Sequence, residues 1–505
     1  MRHHAQVTTA QGTVCGVQHD RVHVFRGIPY AAPLTGASRF AAPEPPRSWS
    51  GVRKAAVGPT APTPPGSRVN GLDLTALTGD AWIEGAEYLT LNVWTPEPAA
   101  AGLPVMLFVH GGGFLAGTGQ APLYDGMSFA RNGVVLATCN YRLGAPGWLH
   151  LPGQPDNRGT LDVIAALSWI QDNIGAFGGD PGNVTVFGQS AGATLIATVL
   201  AHRSAPTLLR RAISQSGNAM GALTPEQATR VTHAVARHLG VRPTIEDFAD
   251  IPDVRLVSAL TGIAGLDLTT EEQPDPLLGL TPLAPVLTAG TLEQQPAEAV
   301  ASGTAADIDL LVGTNTDEAA LYLAPTGALA VTSEQDLLAL AARIHPEPHS
   351  LLHAYRSQHP QASTAQLRMA IMTDHLFASG SRRLAHAHSQ HSGSRTYRYE
   401  FSWRSAAFDG SLGACHCIEL PFVFNRADLP SLSGPQALLG PDPAPLEEAA
   451  GVHAAWVRFA STGDLDDHDS DGSTHALRIE PLTATAVAPV APWQPYRRRT
   501  HAGAR

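Results

Sequence analysis

The chain has few cysteines for its length and no long hydrophobic run. Four cysteines occur in 505 residues, namely Cys15, Cys139, Cys415 and Cys417. So few thiols exclude a disulfide framework, and folding must depend on a hydrophobic core. Apolar stretches such as PVMLFVH are too short to cross a bilayer, and the N-terminal MRHHAQVTT lacks the apolar segment of a signal peptide. We therefore expect a cytoplasmic protein with no membrane partner.

The chain also lacks an excess of positive charge. Lysine and arginine together number 33 against 44 aspartates and glutamates, which gives a formal charge of −11. A negative surface repels the phosphate backbone, so nucleic acid is excluded as a partner. The remaining composition, 44% hydrophobic and 15% charged, is typical of a soluble globular protein.

Segments of strand type alternate with helical ones in the first half of the chain. YLTLNVWTP, PVMLFVHGG, GVVLATCNYR and NVTVFGQS indicate buried strands, and the helical pattern TLDVIAALSWIQDNIGAF lies between the last two. This alternation predicts an α/β protein with a mainly parallel sheet and crossover helices. Residues 7–28 alternate polar and apolar and predict an antiparallel meander before it.

No internal repeat or long linker divides the sequence. We therefore expect one domain over residues 1–505, with a Pro-rich irregular loop at about 58–80 and a helical insertion at about 219–305. Further strands are predicted in IDLLVG and TYRYEFSW, and a terminal helix in AGVHAAWVRFASTGD, followed by a Pro-containing tail.

A single Gly-x-Ser-x-Gly stretch surrounds Ser190. With 48 glycines in the chain the bare spacing is weak evidence, but a strand pattern at 183–187 precedes it and a helical pattern follows. A nucleophile elbow needs this context, because the serine adopts strained dihedral angles that only small neighbours tolerate. The serine oxygen would then lie at a helix N-terminus, which favours developing negative charge. The alternative is a Gly-rich turn without chemistry.

Three successive glycines, Gly111, Gly112 and Gly113, follow the predicted strand PVMLFVH. An oxyanion hole needs backbone N–H groups aimed at one point, and glycine lets the backbone approach a substrate closely. Such a loop accompanies the elbow in serine hydrolases. An ordinary glycine turn is the alternative, but two motifs in the expected order favour the catalytic interpretation.

A serine nucleophile also needs an acid and a histidine, in that chain order. Asp317 and Glu318 both follow the predicted strand IDLLVG, and the residues alone do not choose between them. His416 lies in GSLGACHCIELPFVF, a Gly-bearing loop between a strand and an apolar run. A structural histidine bonded to a carbonyl is the competing interpretation of that position.

Motifs spread along nearly the whole chain resemble those of the type-B carboxylesterases, the branch of the α/β-hydrolases that contains bacterial para-nitrobenzyl esterases and cholinesterases. The resemblance depends on FRGIPYAAP, YLTLNVWTP, HGGGF, FGGDPGNVTVFGQSAG, GTNTDE, HCIELPFVF and WQPY. It implies the α/β-hydrolase fold, a doubly wound, mostly parallel sheet with helical insertions over the active site.

The resemblance also implies roles for particular residues. Ser190 corresponds to the nucleophile, Glu318 to the triad acid and His416 to the base. The oxyanion hole would be formed by the N–H groups of Gly112, Gly113 and Ala191. These roles imply a serine carboxylesterase that forms an acyl-enzyme on small to medium, uncharged carboxylic esters and needs no cofactor.

The chain departs from the family pattern at two places. Gln189 stands where the family commonly has glutamate beside the nucleophile, so we expect it to tune the pocket and to weaken any attraction for cationic substrates. Tyr88 and Ala61 stand where secreted members have a disulfide pair, which agrees with a reducing compartment.

Two segments partly match metal-binding patterns. The run Cys415-His416-Cys417 lacks a second ligand pair at zinc spacing. The acidic segment 467–472 begins like a calcium loop, but Arg478 occupies the position that needs a bidentate glutamate. We therefore expect no metal site.

Two other functions remain open at this point. One is hydrolysis of carbamates, amides or thioesters, because the same triad serves them and the pocket walls decide between substrates. The other is a non-catalytic, cholinesterase-like binding protein.

Overall fold

A computed structural model describes residues 4–65, 68–69, 71–271, 273–465 and 476–482. Its strands are β1 His4–Thr8, β2 Thr13–His19, β3 Val22–Pro29, β4 Val52–Lys54, β5 Arg68–Val69, β6 Leu72–Asp73, β7 Thr90–Thr95, β8 Leu103–Val109, β9 Val135–Cys139, β10 Gly179–Gln189, β11 Arg211–Gln215, β12 Asp309–Asn315, β13 Thr396–Phe401 and β14 Leu477–Leu482.

The α-helices surround this set of strands. They are α1 Thr75–Thr78, α2 Met127–Arg131, α3 Gly144–Trp148, α4 Arg158–Asn173, α5 Ala191–Leu200, α6 Ala205–Leu208, α7 Pro225–Leu239, α8 Ile245–Ala249, α9 Asp253–Gly262, α10 Pro296–Ala301, α11 Ala320–Leu323, α12 Glu334–Ile344, α13 Pro348–Gln358, α14 Thr364–Thr373, α15 Ser379–Ser389, α16 Leu420–Val423 and α17 Leu446–Thr462. A π-helical turn, Asp374–Ala378, joins α14 to α15.

Within the described residues, twelve strands form one sheet in the order β1-β2-β3-β7-β9-β8-β10-β11-β12-β13-β14, with β4 beside β2. The six strands from β9 to β13 in this order are parallel, and antiparallel pairs lie at both ends. The predicted meander is confirmed as β1, β2 and β3. The predicted α/β class with a mostly parallel central sheet is likewise confirmed.

Both faces of the sheet are covered, as expected of a doubly wound fold. Along β8, Val105 and Leu107 belong to one buried cluster, whereas Met106 and Phe108 belong to another on the opposite face. Successive side chains of a strand point to opposite faces, so a strand buried on both sides is apolar throughout. This explains why PVMLFVH shows a continuous apolar run.

The insertion predicted as helical over 219–305 is helical only in part. Helices α7, α8, α9 and α10 lie in it, but the described residues of 263–295 form no helix. Four prolines, at positions 274, 276, 282 and 285, interrupt that stretch and remove backbone donors. It is held instead by isolated bridges such as Leu223 with Val286.

The predicted Pro-rich loop and the predicted C-terminal tail also differ in part from the structure. The loop at about 58–80 is irregular through residue 65, but β5 and β6 pair and α1 follows them. The chain after α17 supplies strand β14, which the sequence interpretation missed. The acidic segment 467–472 and the WQPY motif at 493–496 lie outside the described residues.

No described helix combines the length and the apolar character needed to span a membrane. All four cysteines are free thiols. Ala61 and Tyr88, which replace the family's disulfide pair, are both buried in the core.

Candidate active site

Ser190 lies at a sharp turn between β10 and α5. Its φ of 59° and ψ of −123° fall outside the regions that ordinary residues prefer. A β-carbon on Gly192 would lie 2.1 Å from the carbonyl oxygen of Val109, and one on Gly188 would lie 2.6 Å from the same oxygen. Glycine on both sides is therefore required because the turn presses against the end of β8. The predicted strand-turn-helix context is present.

A hydrogen-bonded chain joins the three residues predicted as the triad. His416 Nε2 lies 2.7 Å from Ser190 Oγ, and His416 Nδ1 lies 2.6 Å from Glu318 Oε2. The other Glu318 oxygen accepts the Asn315 N–H at 2.8 Å. Glu318 and His416 are 0% and 1% exposed, whereas Ser190 is half-buried. The arrangement can move a proton from the serine to the imidazole beside a buried carboxylate.

Asp317, the other acidic residue at this loop, points elsewhere. Its carboxylate pairs with Arg404 and accepts the Ala414 N–H at 3.0 Å. It thus ties the loop after β12 to the loop that bears His416. The carboxylate that contacts His416 belongs to Glu318.

The loop 111–113 lies against the elbow. A β-carbon on Gly111 would be 3.0 Å from the Ser190 β-carbon, and Gly112 has a φ of 109° with its would-be β-carbon 2.1 Å from the Ala116 carbonyl oxygen. Thr281 from the insertion donates to the Gly113 carbonyl at 2.8 Å and holds the loop.

The three N–H groups predicted for the oxyanion hole have no protein acceptor. In the part of the chain that the structure describes, the N–H groups of Gly112, Gly113 and Ala191 make no hydrogen bond to another residue. Ala191 is the first residue of α5, where a helix leaves its N–H groups unpaired. These donors are available to an anionic oxygen.

His110, which precedes the glycines, supports the loop. Burial lowers its pKa to about 4, so the ring is neutral at ordinary pH. Its Nδ1 bonds the Gly111 carbonyl oxygen at 2.8 Å, and the ring stacks on Tyr141 with centroids 4.6 Å apart.

Gln189 is buried beside the imidazole and is only 1% exposed. Its Nε2 lies 3.2 Å from His416 Nε2 and 3.5 Å from Nδ1, while Cys417 Sγ donates to its Oε1 at 3.4 Å. We expected this residue beside the pocket. Its contact with His416 gives one route by which it could affect the reaction, and the pocket-tuning role stays a prediction.

A second buried carboxylate, Glu419, was missed by the sequence interpretation. It accepts hydrogen bonds from Gln215 Nε2 at 3.1 Å and from Asn315 Nδ2 at 2.7 Å. Burial and the nearby Glu318 raise its pKa to about 7. The only signal in the sequence was an acidic residue at the start of the apolar run IELPFVF.

An apolar cluster covers the imidazole and was also missed. The Phe377 ring stacks on His416 with ring centroids 4.2 Å apart. The buried members of this roof cluster are Leu278, Ala319, Leu323, Met372, Leu376 and Phe377. They come from the insertion, from the segment after β12, from the end of α14 and from the π-helical turn, so no local pattern could reveal them together.

The cysteines beside His416 are buried thiols. Burial raises the pKa of Cys415 and of Cys417, which disfavours their thiolate forms. Among the described residues, no three His, Cys, Asp or Glu side chains are arranged to hold a metal ion.

Comparison with known proteins identifies the family. The sequence model of the carboxylesterase family matches residues 3–484. The chain is 36% identical over 468 residues to the para-nitrobenzyl esterase of Bacillus subtilis (strain 168), covering 91% of this chain and 90% of that protein. It is 36% identical over 465 residues to a phenmedipham hydrolase of Pseudarthrobacter oxydans, with 90% of each chain covered.

A solved structure extends the comparison to three dimensions. The carboxylesterase EST55 of Geobacillus stearothermophilus at pH 6.2 superposes with a TM-score of 0.79 at 32% identity, covering 94% of this chain and 97% of that one. The chain therefore belongs to the carboxylesterase family, and it is a type-B carboxylesterase with the α/β-hydrolase fold.

Proposed function

We propose that the chain hydrolyses small to medium, uncharged carboxylic esters through an acyl-enzyme, with Ser190 as nucleophile, His416 as base and Glu318 as acid. The observation that carries this proposal is the hydrogen-bonded chain from Glu318 through His416 to Ser190. The family and its esterase relatives support the reaction class.

In the first step Ser190 Oγ attacks the ester carbonyl carbon and its proton passes to His416 Nε2. Glu318 accepts the Nδ1–H, fixes the tautomer and stabilises the imidazolium that forms. The carbonyl oxygen becomes an oxyanion. The imidazolium then protonates the leaving alcohol oxygen, the carbon–oxygen bond to the alcohol breaks, and the acyl group remains on Ser190.

The oxyanion needs donors that are already in place. Among the described residues the N–H groups of Gly112, Gly113 and Ala191 have no acceptor, and the helix dipole of α5 favours negative charge at its start. Removing one such donor typically lowers kcat by about 10²–10³-fold. In the second step water, deprotonated by His416, attacks the acyl carbon, and the acid leaves as Ser190 regains its proton.

The proposed substrate class is supported by two features beside the triad. The Phe377 ring that stacks on His416 is apolar, which agrees with uncharged acyl or alcohol groups. Gln189 is a neutral residue where the family commonly has glutamate, so the site lacks a carboxylate that would favour a cationic substrate.

The test is release of para-nitrophenol from the acetate, butyrate and octanoate esters by the wild type and by Ser190→Ala. We expect turnover with a pre-steady-state burst in the wild type, and neither in the folded variant. The activity ratio among the three esters measures the acyl pocket. Wild-type protein that is folded and inactive on all three esters, or equal activity in Ser190→Ala, would overturn the proposal.

A further inference from the structure

One wide turn interrupts the helix that runs from α14 to α15. Residues Asp374–Ala378 take the π form, which inserts an extra residue and is frequent at functional sites. In this chain the turn lies beside the candidate active site. The rings of Phe377 and His416 stack with planes 23° apart and centroids 4.2 Å apart, and Phe377 is 8% exposed.

The turn is anchored to the loops that carry the site. Thr373 Oγ1 accepts the N–H of Ala319, the residue after Glu318, at 3.1 Å. On the other side, Asn218 Nδ2 donates to the His375 carbonyl at 3.3 Å. These bonds fix the position of the Phe377 ring relative to the acid and the imidazole.

We propose that Phe377 is a positioning residue for His416, which holds the imidazole between Ser190 and Glu318 and stabilises its protonated form during acyl transfer. An aromatic face carries negative electrostatic potential and attracts a cation stacked on it. The imidazolium exists only while the oxyanion exists, so this attraction is larger in the transition state than in the resting enzyme. The inference rests on the proposed esterase function.

Several other groups lie around the imidazole. The ionisable ones come from the loop after β12, from α11, from the start of α16 and from the loop of His416 itself; they are Glu318, Tyr322, Glu419, Cys415 and Cys417. None of them is itself substituted when Phe377 is replaced, but the Tyr322 ring stacks beside Phe377 with centroids 6.5 Å apart. The variant that keeps an aromatic ring at 377 is therefore needed to separate the effect of the ring from that of altered packing.

The experiment compares Phe377→Leu, which removes the ring at similar volume, with Phe377→Tyr, which keeps it. Steady-state hydrolysis of para-nitrophenyl acetate is measured from pH 5 to pH 9. For Phe377→Leu we expect kcat to fall about tenfold while KM changes less than twofold, and the acid limb of kcat to move by about half a pH unit to lower pH. Phe377→Tyr should keep kcat within about twofold of the wild-type value and leave the acid limb at the wild-type pH.

Leu376→Ala is the matched control, because Leu376 lies on the same turn and in the same roof cluster and is 5% exposed. It should lower the melting temperature and leave the acid limb in place. The inference is overturned if Phe377→Leu keeps the wild-type kcat and profile, if Tyr fails to rescue, or if Leu376→Ala shifts the limb equally. An inactive wild type would overturn the proposed function and this inference together.

Discussion

At the scale of single residues, neighbours of similar chemistry have different surroundings. Asp317 and Glu318 are adjacent acids after the same strand, yet Glu318 contacts His416 and Asp317 pairs with Arg404. Glu318 is one residue further along the chain than Asp317 and has one more methylene group, and its carboxylate is the one that reaches the imidazole. The contribution of each can therefore be separated by isosteric substitution.

We predict that Glu318→Gln lowers kcat for para-nitrophenyl acetate on the order of 10³–10⁴-fold, because an amide does not stabilise the imidazolium or select its tautomer. Asp317→Asn is the matched control. It keeps an oxygen for the Ala414 N–H and loses an ion pair whose Arg404 side chain is 44% exposed, so kcat should stay within about tenfold. Equal losses in the two folded variants would contradict the assignment.

At the scale of elements, the site is formed where strands end. Strands β8 and β10 are parallel neighbours, so the loop 111–113 and Ser190 emerge at the same edge of the sheet. Close approach of the two loops requires glycine at Gly192, where a β-carbon would lie 2.1 Å from the Val109 carbonyl oxygen. Within the loop 111–113, Gly112 has a positive φ, and a β-carbon there would lie 2.1 Å from the Ala116 carbonyl oxygen.

We predict that Gly112→Ala lowers kcat/KM by more than about 100-fold, because the new methyl group must displace the Ala116 carbonyl and with it the oxyanion donors. Gly133→Ala is the control: its φ is 79°, but no atom lies within 4 Å of the added carbon. It should cost about 1 kcal/mol of stability and leave activity unchanged. Near-normal activity in Gly112→Ala would show that these donors do not form the oxyanion hole.

At the scale of the whole molecule, the buried carboxyl group of Glu419 makes the free energy of unfolding depend on pH. Glu419 is 0% exposed, and its folded pKa of about 7 exceeds the ordinary value of 4.5. Between these two pH values the folded chain keeps a proton that the unfolded chain releases. Stability therefore falls as pH rises from about 4.5 to 7, by at most about 3 kcal/mol from this group.

We predict that Glu419→Gln reduces the loss of unfolding free energy between pH 5 and pH 8, measured by urea denaturation at both values. Glu271→Gln, at an exposed position, should leave the wild-type pH dependence intact. If Glu419→Gln shows the same loss as the wild type, Glu419 does not hold a proton in the folded protein near neutral pH.

Local sequence patterns predicted much of this architecture. The apolar runs of β8 and β10 and the small residues around Ser190 depend on short-range sterics, so the elbow, the glycine loop and the parallel core could be expected without coordinates. The edge strand β14 was not predicted, because it pairs with β13, a segment about 80 residues away in the chain.

The sequence by itself therefore determined the class of fold, the family and the short motifs, since each depends on neighbours along the chain. The residues alone left Asp317 and Glu318 open as the acid, and the family resemblance implied Glu318. Only the tertiary structure showed the contact of Glu318 with His416, the buried Glu419 nearby, the contact of Gln189 with the imidazole and the Phe377 ring stacked on it. The physical reason is distance along the chain. His416 bonds residues 98 and 226 positions away, and only packing of the intervening elements brings them together.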